Sequence, residues 1–138
     1  MLESAIATAA KAHEGQTDKA GKPYILHPLR VMLNVKGGIP EQCAAVLHDV
    51  IEDTDITSDT LLELGFSKEV VDAVVLLTRS KDEDYMEYVK RLKANPIARA
   101  VKLADLADNM DMSRIPNPTE KDFARLEKYK KAKSLLLD

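Results

Sequence analysis

Apolar residues recur along most of this chain at spacings of three and four, the period of a helix, and no stretch alternates long enough to require a sheet. Residues 2 to 13 carry Leu2, Ala5, Ile6, Ala9, Ala10 and Ala12, a narrow alanine-rich face that allows close helix approach. The pattern stops near Gly15. Residues 14 to 26, with Gly15, Gly21 and Pro23 among polar residues, have the chemistry of a loop or small hairpin. His27-Pro28 opens a second helix that stays apolar until Gly37-Gly38, and Pro40 starts a central helix running to about Asp53. Thr57 and Ser67 read as N-caps of the next two helices, the first of which stops at Gly65. Val70, Val71, Val74 and Val75 suit a strand by type, but their spacing and the Ser-Lys-Glu start predict a helix. Helices over 85 to 94 and 97 to about 111 follow, divided by Asn95-Pro96, and a charged helix from Thr119 to the end comes after a loop at 112 to 118. The fold expected is all-α, one bundle of seven or eight helices forming a single domain over residues 1 to 138, with a possible hairpin between the first two helices.

Within the central run the pattern changes abruptly. Ala44-Ala45-Val46-Leu47-His48-Asp49-Val50-Ile51-Glu52-Asp53-Thr54 begins apolar and then acquires a histidine and three acids. At helical spacing His48 and Glu52, Asp49 and Glu52, and Asp49 and Asp53 are near neighbours, while Ala45, Val46, Val50 and Ile51 take the rest of the circumference. A core histidine beside a solvated helix end is the plain alternative. Against it, carboxylates at a helix C-terminus oppose the macrodipole, and buried carboxylates beside a histidine are costly unless a cation offsets them. The run therefore points to a metal site.

Composition narrows the classes of function. With 45% hydrophobic and 31% charged residues in 138, the chain suits a soluble globular domain that needs no disulfide to fold. A formal net charge of −3 gives no reason to expect a nucleic-acid polymer or an anionic membrane as partner, although a local basic pocket can still hold a small anion. The single cysteine, Cys43, lies in an apolar segment and fits a reducing compartment, and Met1 to Ala5 lack the start of a signal peptide, so a cytoplasmic location is expected.

A second polar stripe lies in Val101-Lys102-Leu103-Ala104-Asp105-Leu106-Ala107-Asp108-Asn109, where Asp105, Asp108 and Asn109 share one helix face. Combined from three helices, His27, His48, Asp49 and Asp105 would give two imidazoles and two carboxylates, a set suited to Mn²⁺, Fe²⁺ or Zn²⁺ rather than Mg²⁺ or Ca²⁺. An ion so held keeps positions open for water and a phosphoryl oxygen, as phosphoester hydrolysis requires. Glu52 and Asp53, one turn on, are placed to orient or deprotonate the water, and Lys19 and Lys22 give the loop of residues 14 to 26 positive charge towards a substrate.

These residues resemble a family. His27, the His48-Asp49 doublet and Asp105 match the H…HD…D pattern of HD-domain phosphohydrolases. More closely, Ala12-His13-Glu14-Gly15-Gln16, Gly21-Lys22-Pro23-Tyr24-Ile25-Leu26-His27-Pro28, Leu47-His48-Asp49-Val50-Ile51-Glu52-Asp53-Thr54 and Lys102-Leu103-Ala104-Asp105 look like the hydrolase domain of RelA/SpoT proteins and of stand-alone small alarmone hydrolases. The resemblance implies an all-α fold, Mn²⁺ as the usual ion, and removal of the 3′-pyrophosphate of (p)ppGpp. It implies that His27, His48, Asp49 and Asp105 bind the metal, that Glu52 and Asp53 assist the water, that Lys19 lies beside the nucleotide and that Asn109 contacts ribose; Lys102 is expected as a further substrate contact. These 138 residues leave no room for an alarmone synthetase domain, so hydrolysis alone is expected. Two positions depart from the pattern: Asp18 replaces an arginine that stacks on the base, and Leu106-Ala107-Asp108 replaces Arg-Leu-His. Other readings are an HD phosphohydrolase of another nucleotide or phosphoester and a nucleotide-sensing module without turnover. Glu52 and Asp53 favour an enzyme.

Overall fold

The computed structural model describes residues 1–138, and it is all-helical. In chain order the helices are α1 (Leu2–Ala12), α2 (Leu26–Asn34), α3 (Ile39–Leu47), α4 (Val50–Asp53), α5 (Ser58–Glu63), α6 (Lys68–Leu77), α7 (Tyr85–Leu92), α8 (Pro96–Asn109) and α9 (Glu120–Leu137), with a 3₁₀ turn at Met112–Arg114. The starts follow local chemistry. Thr57, Ser67, Asp84 and Asn95 each accept the amide of the residue three positions on, and Pro96 takes the first position of α8. The valine-rich segment is helix α6, as its spacing predicts. The expected hairpin shrinks to one antiparallel bridge, Thr17 with Pro23.

α3 is the axis of the bundle. Cys43, Ala44, Ala45, Val46 and Leu47 are all fully buried, because the helix is apolar on every side and is enclosed by α1, α2, α6 and α8. Ala5 and Ala9 of α1, also fully buried, bring that helix close. α9 packs on α7 and α8, and Arg99 Nε donates to the Leu136 carbonyl at 2.7 Å, fixing its far end. No helix is long and apolar enough to cross a membrane.

The central helix is not continuous as expected; it breaks at the His48-Asp49 doublet. The His48 amide donates to the Ala45 carbonyl, three residues back, at 3.3 Å, and Asp49 turns to φ −103°, ψ 0° before α4 begins. On an unbroken helix neighbouring side chains diverge by about 100°. The break allows both members of the doublet to face one side.

Candidate metal centre

Four polar side chains from α2, α8 and the α3–α4 break meet at one point. The donor atoms of His27, His48 and Asp105 all lie within 4.8 Å of one another. Asp105 Oδ1 stands 2.9 Å from His27 Nε2 and 3.3 Å from His48 Nε2, while Asp49 Oδ2 stands 3.1 Å from His48 Nε2 and 4.0 Å from His27 Nε2. With bonds of about 2.1 Å, neighbouring ligand atoms of an octahedral ion stand about 3 Å apart and opposite ones about 4 Å. These four separations fall within that range, and Asp49, outside the group whose donor atoms all lie within 4.8 Å of one another, joins the cluster through the two histidines.

The state of His48 tests the fit chemically. Its Nδ1–H donates to the Ala45 carbonyl at 2.6 Å, which leaves a lone pair on Nε2 of the neutral ring. Nε2 is buried and without a directed hydrogen bond, yet two carboxylate oxygens face it. A lone pair aimed among carboxylate oxygens is unfavourable unless a proton or a metal ion lies between them. The residues fit a divalent metal held by two nitrogens and two oxygens.

Protonation of the cluster follows the same electrostatics. Burial opposes charge on His48, but Asp49 and Asp105 outweigh it and raise the imidazole well above its usual pKa; for His27 burial is likewise outweighed by Asp105 and Asp108. Burial pushes Asp49 up, but His48 more than reverses this and brings it to about 2. Asp105 is held far below the carboxylate range, burial being overcome by Lys102 and both histidines.

An outer layer grips each candidate ligand. The Tyr24 hydroxyl donates to Asp49 Oδ2. Lys102 Nζ donates to Asp105 Oδ2 at 2.9 Å, and Asn109 Nδ2 donates to Asp105 Oδ1 at 3.2 Å, so these two expected substrate contacts are engaged with a ligand. His27 Nδ1 lies 2.7 Å from Oδ2 of Asp108, whose Oδ1 accepts from Arg30 Nε and Arg114 Nη2.

The centre forms the floor of a cleft of about 570 Å³, a volume suited to a small ligand. Glu52 and Asp53 are exposed on its wall, where Glu52 Oε1 accepts the Arg79 amide at 2.8 Å. Burial, Asp49 and Glu52 all raise the carboxyl pKa of Asp53. Lys19 lines the cleft from the loop. Asp18 lines it too, but its Oδ1 accepts the amides of Ala20 and Lys22 at 2.9 Å each and closes the loop tip.

Beside the acids stand cations, of which the sequence reading named Lys102 but neither Arg79 nor Lys128. Around the Tyr85 ring lie Lys128 Nζ at 4.5 Å, Lys102 Nζ at 5.4 Å and Arg79 Cζ at 5.4 Å. Burial first, and then Arg79, Lys102, Arg125 and Lys19, push the Lys128 ammonium below its usual pKa. Sequence reasoning also missed the tasks of Tyr24 and Asp108. Tyr24 stood within a quoted motif and Asp108 one turn after Asp105, whereas nothing local singled out Arg79 or Lys128.

Residues 5–128 match the family model described as HD domain. The guanosine-3′,5′-bis(diphosphate) 3′-pyrophosphohydrolase of Vibrio cholerae is 35% identical over 122 residues, covering 79% of this chain and 17% of that protein. The bifunctional (p)ppGpp synthase/hydrolase SpoT of Escherichia coli K12 is 35% identical over 123 residues, with the same 79% and 17% coverage. The chain thus spans less than a fifth of the length of these curated relatives. A solved structure, described as a metazoan ortholog of SpoT that hydrolyses ppGpp and plays a role in starvation responses, matches with a TM-score of 0.79 at 26% identity, covering 99% of this chain and 83% of that one.

Proposed function

Since the chain belongs to the HD-domain family, we propose that it is a metal-dependent phosphohydrolase of a nucleotide pyrophosphate, removing the 3′-pyrophosphate of guanosine 3′,5′-bis(diphosphate) or a near relative. The observation that supports this reading is the juxtaposition, in one cleft, of the histidine and aspartate cluster with the acids Glu52 and Asp53 and the cations Lys19, Arg79 and Lys128. His27, His48, Asp49 and Asp105 are the ligands in this proposal, and Mn²⁺ is the ion, in keeping with the mixed donor set. Such an ion supplies Lewis acidity, polarising a phosphoryl oxygen and lowering the pKa of water.

The protein's own groups do the rest. Asp53, with its raised carboxyl pKa, accepts a proton from the attacking water, and Glu52, steadied by the Arg79 amide, orients that water. Lys19, Arg79 and Lys128 hold the phosphates that are not being attacked. Asn109 and Lys102 act on the substrate through Asp105, whose position they fix. Addition of water across the ester between the 3′ oxygen and phosphorus gives a nucleoside 5′-diphosphate and pyrophosphate.

The test is chromatographic. Chelator-stripped protein, reloaded with Mn²⁺, is incubated separately with guanosine 3′,5′-bis(diphosphate), GTP and p-nitrophenyl phosphate. Pyrophosphate release from the first, dependent on Mn²⁺, is expected. Glu52→Gln and Asp53→Asn should each lower kcat by roughly 10²-fold with the metal retained. Tight nucleotide binding with no product from the loaded protein would make it a sensing module instead.

A further inference from the structure

His27 is the one ligand whose two ring nitrogens both face a carboxylate. Nε2 lies 2.9 Å from Asp105 Oδ1 and Nδ1 lies 2.7 Å from Asp108 Oδ2. Asp105 and Asp108 are one turn apart on α8, and His27 and Arg30 are one turn apart on α2, so the two pairs interlock across the helix interface. Arg30 Nε donates to Asp108 Oδ1 at 2.8 Å and Arg30 Nη2 to Oδ2 at 3.2 Å, while Arg114 Nη2 reaches Oδ1 at 3.2 Å and the Asp108 carbonyl at 2.9 Å.

An imidazole binds a metal through a nitrogen without a proton, and the partner of the other nitrogen decides which one that is. His48 has its Nδ1–H fixed by a neutral acceptor, the Ala45 carbonyl. For His27 the acceptor is a carboxylate, which also makes the opposite nitrogen more basic. Asp108 stands where the RelA/SpoT pattern carries a histidine, and its charge is shared by two arginines rather than aimed at the ion.

We propose that Asp108 is a positioning residue of the metal centre: gripped by Arg30 and Arg114, it keeps the proton of His27 on Nδ1 and aims the Nε2 lone pair at the ion. The inference rests on the reading of the cluster as a divalent-metal site.

The test measures metal affinity and tautomer, not turnover. Mn²⁺ dissociation constants are determined from the free-ion electron paramagnetic resonance signal for the wild type, Asp108→Ala and Asp108→Asn. Zn²⁺-loaded protein labelled with ¹⁵N-histidine reports which His27 nitrogen bears the proton. Asp108→Ala should weaken Mn²⁺ binding about 10- to 100-fold. Asp108→Asn, which keeps an acceptor oxygen but loses the charge, should fall between Ala and the wild type. The wild type should show Nδ1–H. A purely structural role would lower the melting temperature of the metal-free variants and leave the dissociation constants alone. Variants that bind Mn²⁺ as the wild type does, or a wild-type His27 protonated on Nε2, would overturn the proposal. If Asp108→Ala does not fold, the Asn variant and the tautomer decide the matter. A wild type that binds no Mn²⁺ removes the metal reading itself, whereas equal binding by all three proteins removes only the role of Asp108.

Discussion

His27 and His48 sit among carboxylates that favour their charged form, so a metal entering the centre competes with protons. Both imidazoles have pKa values raised above 6.5: burial acts downward, but Asp105 and Asp108 for His27, and Asp49 and Asp105 for His48, outweigh it. A raised folded-state pKa contributes stability that is complete below about 6.5 and is lost as pH climbs through the folded value. The metal-free protein should therefore melt at a lower temperature as pH rises beyond 6.5, while Mn²⁺ affinity should increase over the same range. Titration calorimetry at pH 7 in buffers of different ionisation enthalpy should show proton release on Mn²⁺ binding; zero release would mean that the imidazoles are already neutral. The residues of the cluster were legible in the sequence because His-Asp beside apolar residues is costly wherever it is buried. The supports were not: Tyr24 and Asp49 are 25 positions apart, His27 and Asp108 are 81 apart, and no local pattern connects such pairs.

Periodicity located the helices but not the interruption that makes the centre. His48 and Asp49 fall inside a helical pattern, yet they serve one point because α3 ends at Leu47 and α4 starts at Val50. A two-residue turn leaves no signature when its residues are themselves compatible with a helix. Composition did expose the loop of residues 14 to 26 as irregular, though not the use to which it puts Asp18. As a base-facing position, Asp18 would repel phosphate, and exchange for arginine would strengthen nucleotide binding. In the structure Asp18 Oδ1 accepts two backbone amides, from Ala20 and Lys22, a local bond pattern characteristic of aspartate and asparagine in turns. Asp18→Asn keeps that acceptor and removes a negative charge from the cleft wall, so KM for a nucleotide polyphosphate should fall about two- to fivefold with kcat unchanged. Asp18→Arg loses the turn and should raise KM, with faster amide exchange at Ala20 and Lys22. An improved KM in the arginine variant with no change in loop exchange would return Asp18 to a base-facing role.

Over the whole molecule, a net charge of −3 hides the concentration of both signs in one cleft, where Asp49, Glu52, Asp53 and Asp105 meet Lys19, Arg79, Arg125 and Lys128. No sequence sum reveals it, because the cations come from the loop, the end of α6 and α9. Lys128→Ala should raise KM for a polyphosphate about 3- to 10-fold, with a shallower dependence on salt, and leave p-nitrophenyl phosphate unaffected. A substrate-independent loss would show that Lys128 supports the fold instead. The acids couple the centre to stability, since α2, α3 and α8 all converge on it. Metal-free protein keeps these helices together around crowded carboxylates and imidazoles, and an ion that binds only the folded state adds its own free energy to folding. At a free concentration 100 times its dissociation constant, Mn²⁺ contributes about 2.7 kcal/mol, which for a domain of this size corresponds to a rise in Tm on the order of 10 °C. Scanning calorimetry of chelator-stripped protein with increasing Mn²⁺ should show that rise, reversed by EDTA. His48→Ala, which removes a proposed ligand that is 4% exposed, should show almost none of it. A wild-type Tm indifferent to every divalent ion tested would mean that protons hold these histidines and carboxylates together, and the case for a metal-dependent hydrolase would fall with it.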